Sequence, residues 1–296
     1  MLRLAARVCL VALALGNMSA ARAEPRLNVL ATFSILGDLV QQVGGDEVAV
    51  SVLVGPNGDA HVFQPSPADV GRVRDAKLVF VNGLGLEGWM PRLVQASGSK
   101  APLVIVSTGI QPIRDEDPEH GGLDPHAWQS VANVRIYIGT IRDALIAADP
   151  EGRGAYEAHA QAYLSALDAL ETDVRATIEK IPPANRRIIT THDAFGYFAR
   201  AYGMTFIAPQ GVSTEAEASS RDVARIIRQI RASNVPAVFL ENISDTRLIE
   251  QIARETRARI GEKVYSDSLS ERGGPAATYT DMIRHNTRAF AAALGG

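Results

Sequence analysis

The stretch YEAHAQAYLSALDALETDVRATIEK, residues Tyr156 to Lys180, decides how the rest of the chain is read. Apolar side chains recur at Tyr156, Ala160, Tyr163, Leu167, Leu170, Val174 and Ile178, the alternating three and four spacing of one helical face. Pro182 and Pro183 end the pattern. At 1.5 Å per residue such a helix is roughly 35 to 40 Å long, the span of two small lobes side by side. His61 and His126 lie before it, His192 and Asp267 after it. Two halves that each supply two candidate metal ligands, joined by a rigid rod, predict a cleft that captures a metal ion. A long helix packed inside a single domain is the alternative.

Residues 1–23 carry Arg3 and Arg7, then an apolar run, then Ala21-Arg22-Ala23. This is the form of a cleaved signal peptide, with cleavage expected before Glu24. The apolar run is too short for a stable membrane span. The single cysteine, Cys9, falls inside this leader, and no cysteine stands at the expected cleavage point for a lipid. The expectation is therefore an unanchored periplasmic protein without disulfides. Removing the leader takes the formal charge from −3 to −6, which argues against a nucleic-acid partner.

From Leu27 onward, short β-rich runs alternate with helical stretches. Strands are expected at 27–31, 48–54, 78–81 and 103–106, with helices at 35–43, 66–76, 87–95 and 131–148. After the long helix the plan repeats, with strands at 187–190, 204–207, 237–240 and 263–265 and helices at 195–201, 219–233, 246–256 and 278–294. The expected class is α/β, with two parallel-sheet lobes joined by a long rigid helix. The corresponding bounds are 24–150 for the first lobe, 151–181 for the linking helix and 182–296 for the second lobe.

Ligands of open α/β sheets bind beyond the carboxyl ends of the strands. His61, His126, His192 and Asp267 all follow an expected strand, and three imidazoles with one carboxylate form a complete ligand set for a divalent ion. His120, in an acidic stretch, His159, on the flank of the long helix, and His285, on the last helix, read as bystanders; a part for His120 in metal delivery stays open. Glu241, just past a strand, is a partner of the ligands or a substitute for one of them. Gly83-Leu84-Gly85-Leu86-Glu87-Gly88 matches G-x-G-x-x-G, yet Ser107 and Thr108 stand where a dinucleotide site needs an acid. Those glycines read as a tight turn. No H-E-x-x-H pair, G-x-S-x-G elbow or phosphate-binding loop is present, and four ligands would close the shell that a catalytic zinc keeps open. The chain therefore reads as a metal holder and not an enzyme.

The segments DAHVFQPSPAD (59–69), NGLGLEGW (82–89), DPHAW (124–128), THDAF (191–195), STEAE (213–217) and YSDSL (265–269) occur in this order. On these motifs the mature chain resembles, over nearly its whole length, the cluster A-I solute-binding proteins of bacterial ABC importers for zinc and manganese. The resemblance implies two α/β lobes on a backbone helix, with ligands at His61, His126, His192 and Asp267. It implies Zn2+ as cargo, with Mn2+ or iron as the alternative, because a histidine at the third position is typical of zinc binders. It also implies delivery to an ABC permease in the inner membrane, by a protein expected to be a monomer. A secreted zinc hydrolase and a metal store are the competing functions. The loop before His126 is short, acidic and carries only His120, unlike the long histidine-rich loop of many zinc members.

Overall fold

The computed structural model describes residues 26–114, 122–216, 219–233, 235–256 and 258–295. The expected leader, Cys9 and His120 lie outside these residues. The first half contains strands β1 (Leu27–Phe33), β2 (Val48–Val54), β3 (Leu78–Val81) and β4 (Leu103–Ile105), with helices α1 (Ser34–Gly44), α2 (Pro67–Asp75), α3 (Met90–Ser97) and α4 (Val131–Ala148). The second half contains β5 (Arg187–Ile189), β6 (Thr205–Ile207), β7 (Ala237–Val238) and β8 (Arg259–Ile260), with α6 (Gly196–Tyr202), α7 (Ser220–Ser233), α8 (Thr246–Thr256) and α9 (Tyr279–Leu294). Between them runs α5 (Arg153–Glu179), of 27 residues.

Both sheets are parallel and share one plan. The first has the order β2-β1-β3-β4 and the second β6-β5-β7-β8. In each, the chain leaves its first strand in one direction and later returns to pair on the other side, which creates a crevice at the strand ends. Residues in β1 and β3 are almost wholly buried, as expected for strands covered by helices on both faces.

The expected strand at 263–265 is corrected. The edge strand is Arg259–Ile260, and only Val264 pairs again, through a bridge to Glu241. Between them Gly261 packs under Phe239, where a Cβ would lie 2.3 Å from the ring, so only glycine fits. Gly261 N still donates to Val238 O at 2.8 Å, and Val264 N donates to Leu240 O at 2.9 Å just before Asp267.

The seven residues buried on α5 are Tyr156, Ala160, Tyr163, Leu167, Leu170, Val174 and Ile178. They pack against α1 and α4 of the first half and α9 of the second. One hydrophobic cluster thus runs from Val29 in β1 to Leu294 in α9. A smaller cluster, including Ile226, Ile230, Ile249 and Ile252, seals α7 and α8 onto the second sheet.

Because α5 is buried along its whole length, Leu170→Ala is expected to lower the unfolding free energy by about 2–5 kcal/mol in a urea titration. Glu157→Ala, which removes an exposed ion pair with Arg153, should change it by less than about 1 kcal/mol.

Candidate metal centre

The four expected ligands converge. Nε2 of His61 lies 3.2 Å from Nε2 of His126 and 3.2 Å from Asp267 Oδ2. Asp267 Oδ2 is 3.1 Å from His192 Nε2, and Asp267 Oδ1 is 3.5 Å from His126 Nε2. No two of the four donor atoms are more than 4.8 Å apart. A tetrahedral ion with bonds of 2.0–2.1 Å has ligand-to-ligand edges of roughly 3.3 Å, so these spacings fit one ion at the centre. His126, His192 and Asp267 are fully buried, while His61 keeps 7% exposure.

Each side chain is held by its own loop. Beyond β2 the chain turns through Gly55-Pro56-Asn57-Gly58, with Asn57 at φ +57°, and the Asp59 carboxylate accepts the backbone N–H of His61 at 2.8 Å. Asp124 does the same for His126 at 2.9 Å, and its Oδ1 also lies 2.8 Å from His126 Nδ1. That contact leaves Nε2 directed at the cluster. Asn82 donates to Pro125 O at 2.9 Å and accepts from Tyr137 at 2.5 Å, fixing the loop that carries His126.

Glu241 serves the third ligand. Its Oε1 accepts the backbone N–H groups of Thr191 and His192 at 2.7 and 3.0 Å. Its Oε2 lies 2.7 Å from His192 Nδ1, a close ionic contact outside hydrogen-bond geometry. Of the two readings of Glu241, the structure gives the partner of a ligand. Across the cleft, Trp128 Nε1 and Gln129 Nε2 donate to Ser266 O at 2.9 and 2.7 Å, and so position Asp267 from the opposite half.

The remaining candidates are engaged elsewhere. His159 Nδ1 meets Val43 O at 3.2 Å, and His285 Nε2 meets Lys263 O at 2.7 Å. The glycine-rich segment is a turn, with Gly83, Leu84 and Gly85 all at positive φ. The N–H groups of Asn82 and Gly83 are taken by the Glu87 carboxylate at 2.7 and 3.1 Å, which also accepts the Thr32 hydroxyl at 2.7 Å. Two of the amides that a phosphate would need are thus already taken.

Charge and burial oppose each other in the cluster. Burial works to lower the pKa of His126, but the carboxylates of Asp267 and Asp124 outweigh it and raise it to about 9. His192 is driven well above the usual imidazole range in the same way, burial being overcome by Glu241 and Asp267. Burial would raise Asp267, yet the charges of His192 and His126 hold it well below the ordinary carboxylate range. Asp267 and the rings of His126 and His192 thus favour each other's charged forms.

Two lobes closed on such a cluster define the class, a substrate-binding component of a metal transporter. Residues 29–293 match the family described as zinc-uptake complex component A, periplasmic, and the chain belongs to that family. It is 34% identical to the manganese-binding lipoprotein MntA of Halalkalibacterium halodurans, over 90% of this chain and 88% of the relative. It is 33% identical to the iron-binding protein YfeA of Yersinia pestis, over 91% of this chain and 87% of the relative. The structure of the periplasmic zinc-binding protein TroA from Treponema pallidum superposes with a TM-score of 0.86 at 30% identity, covering 91% of this chain and 99% of that one. The chain is accordingly a metal-binding substrate-binding protein of the ABC-transporter kind and not an enzyme.

The comparison corrects the expected location. MntA is named a lipoprotein, and the reading of an unanchored periplasmic protein without a lipid-attachment cysteine is withdrawn. That reading rested on the placement of Cys9 and on an inferred cleavage point, both in residues the structure does not describe.

Asp59, Asp124 and Thr214 were not singled out from the sequence. A signal for the first two is visible as Asp59-Ala60-His61 and Asp124-Pro125-His126, the same D-x-H spacing twice. An aspartate two residues before a histidine can accept that histidine's backbone N–H and fix the turn. Thr214 has no such local signal.

Any cation entering the cluster displaces the proton of His126. Affinity should therefore rise with pH up to about 9, and binding at pH 7.5 should release protons, read by calorimetry in buffers of different ionisation enthalpy. The raised pKa stabilises the metal-free fold fully below about 6.5, and that contribution is lost as pH rises through about 9. Heat of binding independent of the buffer would show that the imidazoles are already neutral.

Proposed function

We propose that His61, His126, His192 and Asp267 bind one zinc ion, which the protein delivers to an ATP-driven permease in the membrane. The observation that carries this is the set of four buried donor atoms that all lie within 4.8 Å of one another, supported by Asp267 Oδ1, a buried oxygen without a hydrogen-bond partner. Three nitrogens and one oxygen suit zinc, which imposes no geometry of its own and accepts a nitrogen-rich shell. Manganese lies at the weak end of the divalent affinity order and favours oxygen. The closed ligand shell supports carriage of the ion as cargo. All four ligands come from one chain, so a monomer suffices, with lobes at 24–150 and 182–296 on the helix at 151–181.

The second reading is manganese or iron delivery by the same residues, favoured by the names of the relatives MntA and YfeA. Parallel titration of zinc and manganese, in competition with a chelator, separates the two. Wild type should take one zinc per chain and prefer it to manganese, and His192→Glu should narrow that preference by trading nitrogen for a harder oxygen. Manganese held as tightly as zinc by the wild type would establish the second reading.

His61→Ala and His192→Ala, which alter opposite lobes, should each weaken zinc strongly, whereas His159→Ala should not. Glu241→Gln should cost about 10- to 100-fold in affinity, the usual effect of removing the partner that orients a ligating histidine. Wild-type affinity in either histidine variant would show that the lobes do not share the ion.

A further inference from the structure

The two D-x-H turns are built alike but finish differently. Oδ1 of Asp124 faces both the backbone N–H and the ring of its own histidine. Asp59 uses Oδ1 for the backbone of His61 at 2.8 Å, and its Oδ2 instead accepts the hydroxyl of Thr214 at 2.6 Å. Thr214 belongs to the other half of the molecule, on the loop after β6. That loop is pinned to the turn carrying His192, through Gln210 N to Thr191 O at 3.3 Å and Asp193 N to Gly211 O at 3.1 Å. A single carboxylate therefore couples the backbone of the His61 turn to the loop behind His192.

His61 is also the ligand through which the cluster meets solvent, since the other three are fully buried. A cavity of about 300 Å³ beside it is lined by His61, Leu84, Gly88, Val212, Ser213 and Glu215, so the Thr214 loop forms one wall of the opening. An ion leaving the cluster by this side must first lose His61, and His61 moves with its turn.

We propose that Thr214 is a positioning residue whose hydrogen bond to Asp59 latches the His61 turn across the cleft and sets the rate of metal release. The inference rests on the four-ligand site proposed above. The lobes do not depend on this latch to stay together: Asn57 N to Leu269 O at 3.0 Å, Leu269 N to Ser34 Oγ at 2.9 Å and the two bonds to Ser266 O all cross the cleft independently of it. Losing the Thr214 bond frees the one ligand at the opening and leaves the three buried ones in place.

The test is a stopped-flow chase of zinc-loaded protein with excess chelator, on wild type, Thr214→Val and Thr214→Ser. Valine keeps the shape and removes the hydroxyl; serine keeps the hydroxyl and removes the methyl. A hydrogen bond to a charged acceptor contributes enough that its loss should speed release by about tenfold in Thr214→Val. Thr214→Ser should release at the wild-type rate, and all three proteins should hold one zinc per chain. Release from Thr214→Val at the wild-type rate, with one zinc still held, overturns the latch and leaves the site intact. Release from Thr214→Ser as fast as from Thr214→Val assigns the residue to packing and also overturns it. A wild type that holds no zinc at all overturns the site and the latch together.

Discussion

A carboxylate with no access to water, Asp267, lies at the meeting point of the two lobes, and its charge constrains what surrounds it. An isolated buried carboxylate is too costly to persist, so it must be neutralised by groups brought to it. Here the neutralising groups come from both sheets: His126 from beyond β4 and His192 from beyond β5, with His61 beside them from beyond β2. Opening the cleft without supplying water or a cation would strand that charge. The closed arrangement is thus a consequence of electrostatics as much as of packing, and protons and metal ions compete for the same role.

Around this centre the supporting residues form a second layer of carboxylates and amides. Glu241 stands behind His192 and Asp124 behind His126. Such partners fix the ring orientation and make the inward nitrogen a better donor to a cation. Beneath them, α5 ties both sheets into one hydrophobic cluster, so the loops project from a base with few soft degrees of freedom.

The fold was legible where burial acts on a simple period. The apolar stripe of α5 coincides with its buried residues because one helix face is in the core from end to end. The first sheet was equally readable, since β2 and β3 begin and end where their β-branched runs do. The far edge of the second sheet was not, because its strand is only Arg259–Ile260, followed by a glycine held close under Phe239, and no local pattern reports a contact made across the fold. The same division holds at the site. His61, His126 and His192 are reached because each follows a strand, whereas Asp267 follows an expected strand of which only the Val264 bridge forms. Asp59 and Asp124 had a local signature that a search for ligands passes over. Thr214 depends on a contact 155 residues distant, which sequence spacing cannot express.

One feature of the hydrogen bonding explains how a parallel α/β scaffold comes to hold a positive ion. The crevices at such strand ends ordinarily present backbone N–H groups outward, and they are suited to phosphates and other anions. In this protein those donors are turned toward the molecule's own acids. The amides of Asn82 and Gly83 point at Glu87, those of Thr191 and His192 at Glu241, that of His61 at Asp59 and that of His126 at Asp124. The polarity of the crevice is thereby changed: these six amides are occupied by internal carboxylates, and those of Asp124 and Glu241 lie against two of the clustered imidazoles. Two sheets of a geometry that elsewhere suits anions become, by four side chains, a pair of cation-facing jaws.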